Sequence, residues 1–76
     1  MATFEKGDRV NSLLPVGGEK VVGAVGTVID VEEDHLGVLI CVEYDEDIEG
    51  HDNNRTGKDG HCWCSLPYKL EKINRE

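Results

Sequence analysis

The sequence predicts an all-β fold: a small five-stranded antiparallel barrel, with one short 3-10 turn before the last strand. Three observations carry this. Apolar and polar residues alternate in short runs, and no segment sustains a helical period. Nine glycines in 76 residues supply the bends between those runs. Pro67 stands where a single helical turn can start, just ahead of Leu70 and Ile73. A chain of this length holds one small core, so residues 1–76 are read as a single domain.

Taken in order, Lys6-Gly7-Asp8 is a turn, followed by a short strand from about Arg9 to Leu13. Pro15 and the Gly17-Gly18 pair make the segment from Leu14 to Lys20 a loop. Val21 to Val31 is rich in β-branched residues and carries Gly23 and Gly26, which predicts a strand with a bend or bulge. Glu32 to His35 reads as a polar turn. Leu36 to Tyr44 is the clearest strand, with Val38, Ile40, Val42 and Tyr44 on one face and Leu39, Cys41 and Glu43 on the other. His61 to Ser65 is the fourth strand, with Cys62 and Cys64 pointing one way and Trp63 the other. Leu70 to Ile73 is the fifth, and Asn74 to Glu76 a frayed end. The predicted core is Val10, Val28, Ile40, Val42, Leu66, Leu70 and Ile73, with Cys62 and Cys64 largely buried.

Between the third and fourth strands runs a long polar loop, Asp45 to Gly60, with Ile48 as its one sizeable apolar side chain. Gly50, Gly57, Gly60 and the run His51-Asp52-Asn53-Asn54 are residue types that build tight hydrogen-bonded bends. The loop is therefore expected to be ordered, and loops held on a scaffold are where binding concentrates.

Charge singles out the same region. The net charge is −8, yet residues 30–52 hold ten acids and no Lys or Arg, while the rest of the chain is slightly basic. An acidic pole repels a phosphate backbone and attracts a basic protein surface. Its minimal role is to keep the domain soluble. No apolar run reaches the roughly 18 residues of a membrane span, and no basic, apolar leader opens the chain. The expectation is a cytoplasmic protein whose three cysteines stay reduced.

Gly7-Asp8-Arg9-Val10, Gly26-Thr27-Val28 and Val42-Glu43-Tyr44-Asp45 resemble the KOW-type and other SH3-like barrel modules. Gly50-His51-Asp52, Gly60-His61-Cys62-Trp63 and Leu66-Pro67 with Leu70-Glu71 resemble a short family of bacteriophage and prophage proteins. That pattern is similar in turn to the domain shared by mind-bomb and HERC-type ubiquitin ligases. A weaker likeness, through Gly37-Val38-Leu39 and Glu43-Tyr44-Asp45, is to the CAP-Gly domain, although only Lys58-Asp59-Gly60 remains of its signature. The resemblance implies an SH3-like barrel. It says little about a biochemical role, because small barrels host many unrelated functions.

Several constellations bear on chemistry. His51, His61, Cys62 and Cys64, with Cys41 and His35, are ligand types for zinc, but no Cys-x-x-Cys is present. Cys62 and Cys64 lie about 7 Å apart in an extended strand, too far for a mutual disulfide. The three thiols are expected to pack as core residues, so no metal site or cofactor is assigned. Asp45-Glu46-Asp47-Ile48-Glu49-Gly50 imitates the start of a calcium loop, yet Thr56 stands where a bidentate Glu is required. A Cys–His nucleophile has no evident oxyanion site or closed cleft, and no enzymatic activity is expected.

These readings converge on a phage-type protein-binding module. Its candidate binding residues are Tyr44, Asp45, Glu46, Asp47, Glu49, His51, Asp52, Trp63 and Tyr68: an acidic rim beside aromatic anchors. The expected partner is a protein, such as a basic nucleic-acid-binding host protein engaged by charge mimicry. The alternatives are a KOW-like nucleic-acid binder using Arg55, Lys58, Lys69 and Lys72, or a zinc-stapled structural element.

Overall fold

The computed structural model describes all residues except 1–3, 19–21, 53, 54, 56 and 74–76. The expected strand start at Val21, the loop residues Asn53 and Asn54, Thr56 and the end at Asn74 to Glu76 lie outside the described residues. The rest is all-β. Five strands, β1 (Arg9–Ser12), β2 (Val25–Asp34), β3 (Gly37–Tyr44), β4 (Cys62–Ser65) and β5 (Leu70–Lys72), form one antiparallel sheet in the order β4-β3-β2-β1-β5. A single 3-10 turn, η1 (Pro67–Lys69), precedes β5 as expected. No helix among the described residues is long and apolar enough to cross a membrane. The sheet is not closed: β4 and β5 are its two edges. Closure into a barrel is thus not realised by strand pairing.

β2 is the strand on which the sheet turns. Its first residues pair with β1 on one side, and Gly26 to Asp34 pair with β3 on the other, apart from Ile29. Gly26 sits opposite both Val10 and Tyr44. A Cβ there would lie 2.5 Å from the Glu43 carbonyl oxygen and 2.7 Å from Tyr44 Cα, so the close approach of β2 and β3 requires glycine. The expected irregularity falls further along. The register shifts between Val28 and Asp30, leaving Ile29 as the extra residue of a bulge. The shift returns Val31 to the inner face opposite Ile40. The polar turn expected over Glu32 to His35 is shorter than the sequence suggests. β2 continues to Asp34, and only His35 and Leu36 lie between Asp34 and its partner Gly37. The Asp34 carboxylate closes this turn by accepting the Leu36 N–H at 2.8 Å.

The core draws on every part of the chain. Val10, Val28, Ile40, Val42 and Leu70 are buried as predicted, and Phe4, Val16, Ala24, Tyr44 and Ile48 join them. Leu66 is a correction: it is 41% exposed, because the chain turns into η1 immediately after it and carries it off the inner face. Ile73 and Cys64 are half-buried, whereas Cys62 is fully buried.

The cysteines correct the expectation of reduced thiols. The β3–β4 register sets Cys41 directly opposite Cys64, and the two form a disulfide. Cys62 alone remains a free thiol.

Candidate functional site

The site is built by the segment from Asp45 to Gly60, which the sheet holds at many points. Tyr44 N–H donates to the His61 carbonyl at 2.8 Å, and Asp45 N–H to the Val25 carbonyl at 2.8 Å. The Gly60 carbonyl accepts from both Ile48 and Gly50 at 3.0 Å. His51 and Cys62 exchange backbone hydrogen bonds of 2.9 and 3.0 Å, which extends the ladder beyond β4. The Glu43 carboxylate accepts the Lys58 N–H at 2.7 Å. These bonds satisfy backbone groups that have no strand partner.

Ile48 gives the loop its apolar anchor. It is 1% exposed and belongs to the same core cluster as Val16 of the β1–β2 loop. The Ile48 carbonyl accepts the Gly18 N–H at 3.0 Å. A side chain at Gly17, with φ +77°, would collide with that carbonyl, so the Gly17-Gly18 pair lets one loop lie against the other. Asp47 Oδ1 accepts the Glu49 N–H at 2.8 Å, stabilising Glu49 in the left-handed region at φ 59°.

The expected binding residues divide among several roles. Glu46, Asp47 and Glu49 are exposed and Asp52 half-buried. Exposed His51 stacks on half-buried Trp63, with ring centroids 5.9 Å apart and planes 29° from parallel. The loop thus brings its acids and one aromatic pair onto a common frame. Asp45 is engaged elsewhere. Arg9 Nη1 and Nη2 donate to its two carboxylate oxygens at 3.0 and 2.6 Å, and Nη1 also donates to Thr27 Oγ1. This bidentate pair holds the Asp45 carboxyl below its ordinary range and offsets its charge.

One expected contact residue, Tyr44, is corrected. Tyr44 is 1% exposed and belongs to the core. Its hydroxyl is buried without a hydrogen-bond partner among the described residues, and burial pushes its pKa up to about 12. Tyr68 is exposed on η1, with Lys69 Nζ 5.8 Å from its ring centroid.

The candidate ligands for metal are also distributed. Cys41 and Cys64 are joined to each other, and His61 Nδ1 lies 2.8 Å from the Tyr44 carbonyl. Among the described residues no group of three or more His, Cys, Asp or Glu side chains is placed to hold a metal ion. Burial, followed by the charges of Glu43, Asp52 and Asp59, raises the pKa of the Cys62 thiol. This favours the protonated, weakly nucleophilic form.

Sequence reading missed the Arg9–Asp45 pair and the Cys41–Cys64 pairing. Both join residues far apart in the chain, and their signal is strand register, which composition does not carry. Comparison with known protein families, curated proteins and solved structures finds no match to this chain.

Proposed function

We propose that this chain is a small, phage-type protein-binding module that acts by docking onto a basic surface of another protein, with no reaction of its own. The observation that carries the reading is the tethering of the acidic loop. Glu46, Asp47 and Glu49 flank the buried anchor Ile48 and stand on a backbone pinned to β4 and to the β1–β2 loop. Fixed charges beside the stacked His51–Trp63 pair steer an encounter without a large ordering cost on binding. The proposed partner is a nucleic-acid-binding host protein, whose basic face the loop engages in place of phosphates. Nucleic-acid binding through Arg55, Lys58, Lys69 and Lys72 has less support, since Lys72 lies 3.3 Å from Asp8 and its charge is offset.

The test replaces Glu46→Gln, Asp47→Asn, Glu49→Gln and Asp52→Asn together, preserving shape and hydrogen-bond acceptors. Asp45 is kept because Arg9 engages it. The wild-type chain is expected to retain a host protein from lysate at low salt and to release it as salt rises, and the folded variant to lose it. Equal retention with the same salt response would remove the acidic loop as the binding face. A mobility shift of labelled DNA or RNA by the purified chain would favour the nucleic-acid reading.

A further inference from the structure

At the opposite end of β3 from the acidic loop, a groove of about 200 Å³ opens beside the β2–β3 turn. Its apolar lining is Leu36, Val38, Leu39 and Leu66, and its acidic lining is Glu32 and Asp34. Leu36 is 84% exposed and Leu66 41% exposed. Large aliphatic side chains clustered in the open usually mark a contact surface.

The strand beside the groove is also incomplete. β4 pairs with β3 only from Ile40 to Glu43, and the ladder ends at the Ile40–Ser65 pair. Beyond it the chain turns into η1 at Pro67, whose nitrogen carries no hydrogen. Gly37, Val38 and Leu39 therefore have β2 as their only ladder partner among the described residues. An unpaired strand edge is a template for an added strand. Glu32 faces Leu39 across the β2–β3 ladder, and Asp34 faces Gly37, so carboxylates lie beside the apolar floor on the same face of the sheet.

Charge selects the occupant. A second copy of this chain would bring a net charge of −8 and its own Glu32 and Asp34 to the contact, which like-charge repulsion opposes. We infer that the groove takes one extended segment of a partner protein. That segment pairs along the free edge of Gly37–Leu39, places apolar side chains against Leu36, Leu39 and Leu66, and carries Lys or Arg toward Glu32 and Asp34. The inference rests on the protein-binding reading but uses a surface separate from the acidic loop.

A random decapeptide display library selected on the immobilised full chain tests it. The enriched sequences are expected to alternate apolar residues with Lys or Arg. The best of them, as a synthetic peptide, is expected to shift the amide resonances of Gly37, Val38 and Leu39. Leu36→Asp is expected to weaken that peptide at least tenfold while keeping the fold, since Leu36 is already in solvent. Glu32→Lys is expected to weaken it as well, and the quadruple acidic-loop variant to bind it unchanged. The inference is overturned if nothing enriches, if acidic or proline-rich sequences win, or if the shifts fall in residues 45–60. A dimer in sedimentation equilibrium that Leu36→Asp dissolves would also overturn it, assigning the groove to a second copy. Loss of the host protein from the acidic-loop variant, with peptide binding intact, keeps the outcomes of the two surfaces distinct.

Discussion

Tyr44 shows how a single residue decides between core and surface. Its ring contributes to the buried cluster, yet its hydroxyl has no hydrogen-bond partner among the described residues. A buried unpaired hydroxyl costs about 1–3 kcal/mol. Tyr44→Phe removes the group and keeps the ring, so at pH 7 the variant is expected to be as stable as the parent or more stable. Alkali provides a sharper check. The folded-state pKa is raised to about 12 from an ordinary value of 10. Below pH 10 both folded and unfolded states hold the proton and nothing is lost. Between pH 10 and 12 the unfolded chain releases it while the folded chain retains it, and stability falls by on the order of 2 kcal/mol. Urea unfolding across that window should show a steeper loss for the parent than for Tyr44→Phe. Parallel curves would mean that the ring is not held in the core.

At the scale of elements, the edge strand β4 is the weak point. It has four residues, and β3 is its one strand neighbour. The Cys41–Cys64 disulfide ties it to the strand at its side. A crosslink spanning 23 residues of chain restricts the unfolded ensemble and is worth roughly 3 kcal/mol in the chain-entropy account. Thermal unfolding with and without reductant is expected to show a lower midpoint for the reduced protein, and Cys41→Ala with Cys64→Ala should reproduce the shift. Hydrogen exchange should then rise first at the amides of β4, because its remaining ties are ladder bonds and the His51–Cys62 bridge. An unchanged midpoint would show that register alone holds the edge.

For the whole molecule, the distribution of charge matters more than any one ion pair. Ten carboxylates lie within residues 30–52, spread over the second half of β2, Glu43 of β3 and the tethered loop. Arg9 offsets one of them, at Asp45, and Lys72 lies against Asp8 outside that segment. Self-repulsion of this kind destabilises the compact state and is screened by salt. Raising sodium chloride from about 10 mM to about 150 mM, where the Debye length falls from roughly 30 to 8 Å, is expected to raise the thermal midpoint. The quadruple neutral variant should start higher and respond less. A midpoint that falls with salt in the parent would show that the attractive pairs dominate.

The alternation of Leu36 to Tyr44, the β-branched run before it and the proline ahead of Leu70 were enough to determine five antiparallel strands, a short 3-10 turn and most of the core. These are local properties, set by side-chain period and backbone preference. The same reading placed the acids on one segment and identified the glycines that let the loop bend. Register and closure were decided only in three dimensions. Whether Cys41 meets Cys64, whether Arg9 reaches Asp45 and whether Leu66 faces inward depend on how strands far apart in sequence slide against one another. A one-residue slip would turn each of those side chains to the other face. The acidic loop is therefore legible in the chain as a composition, whereas its anchoring by Ile48 and the open edge of β3 are consequences of packing.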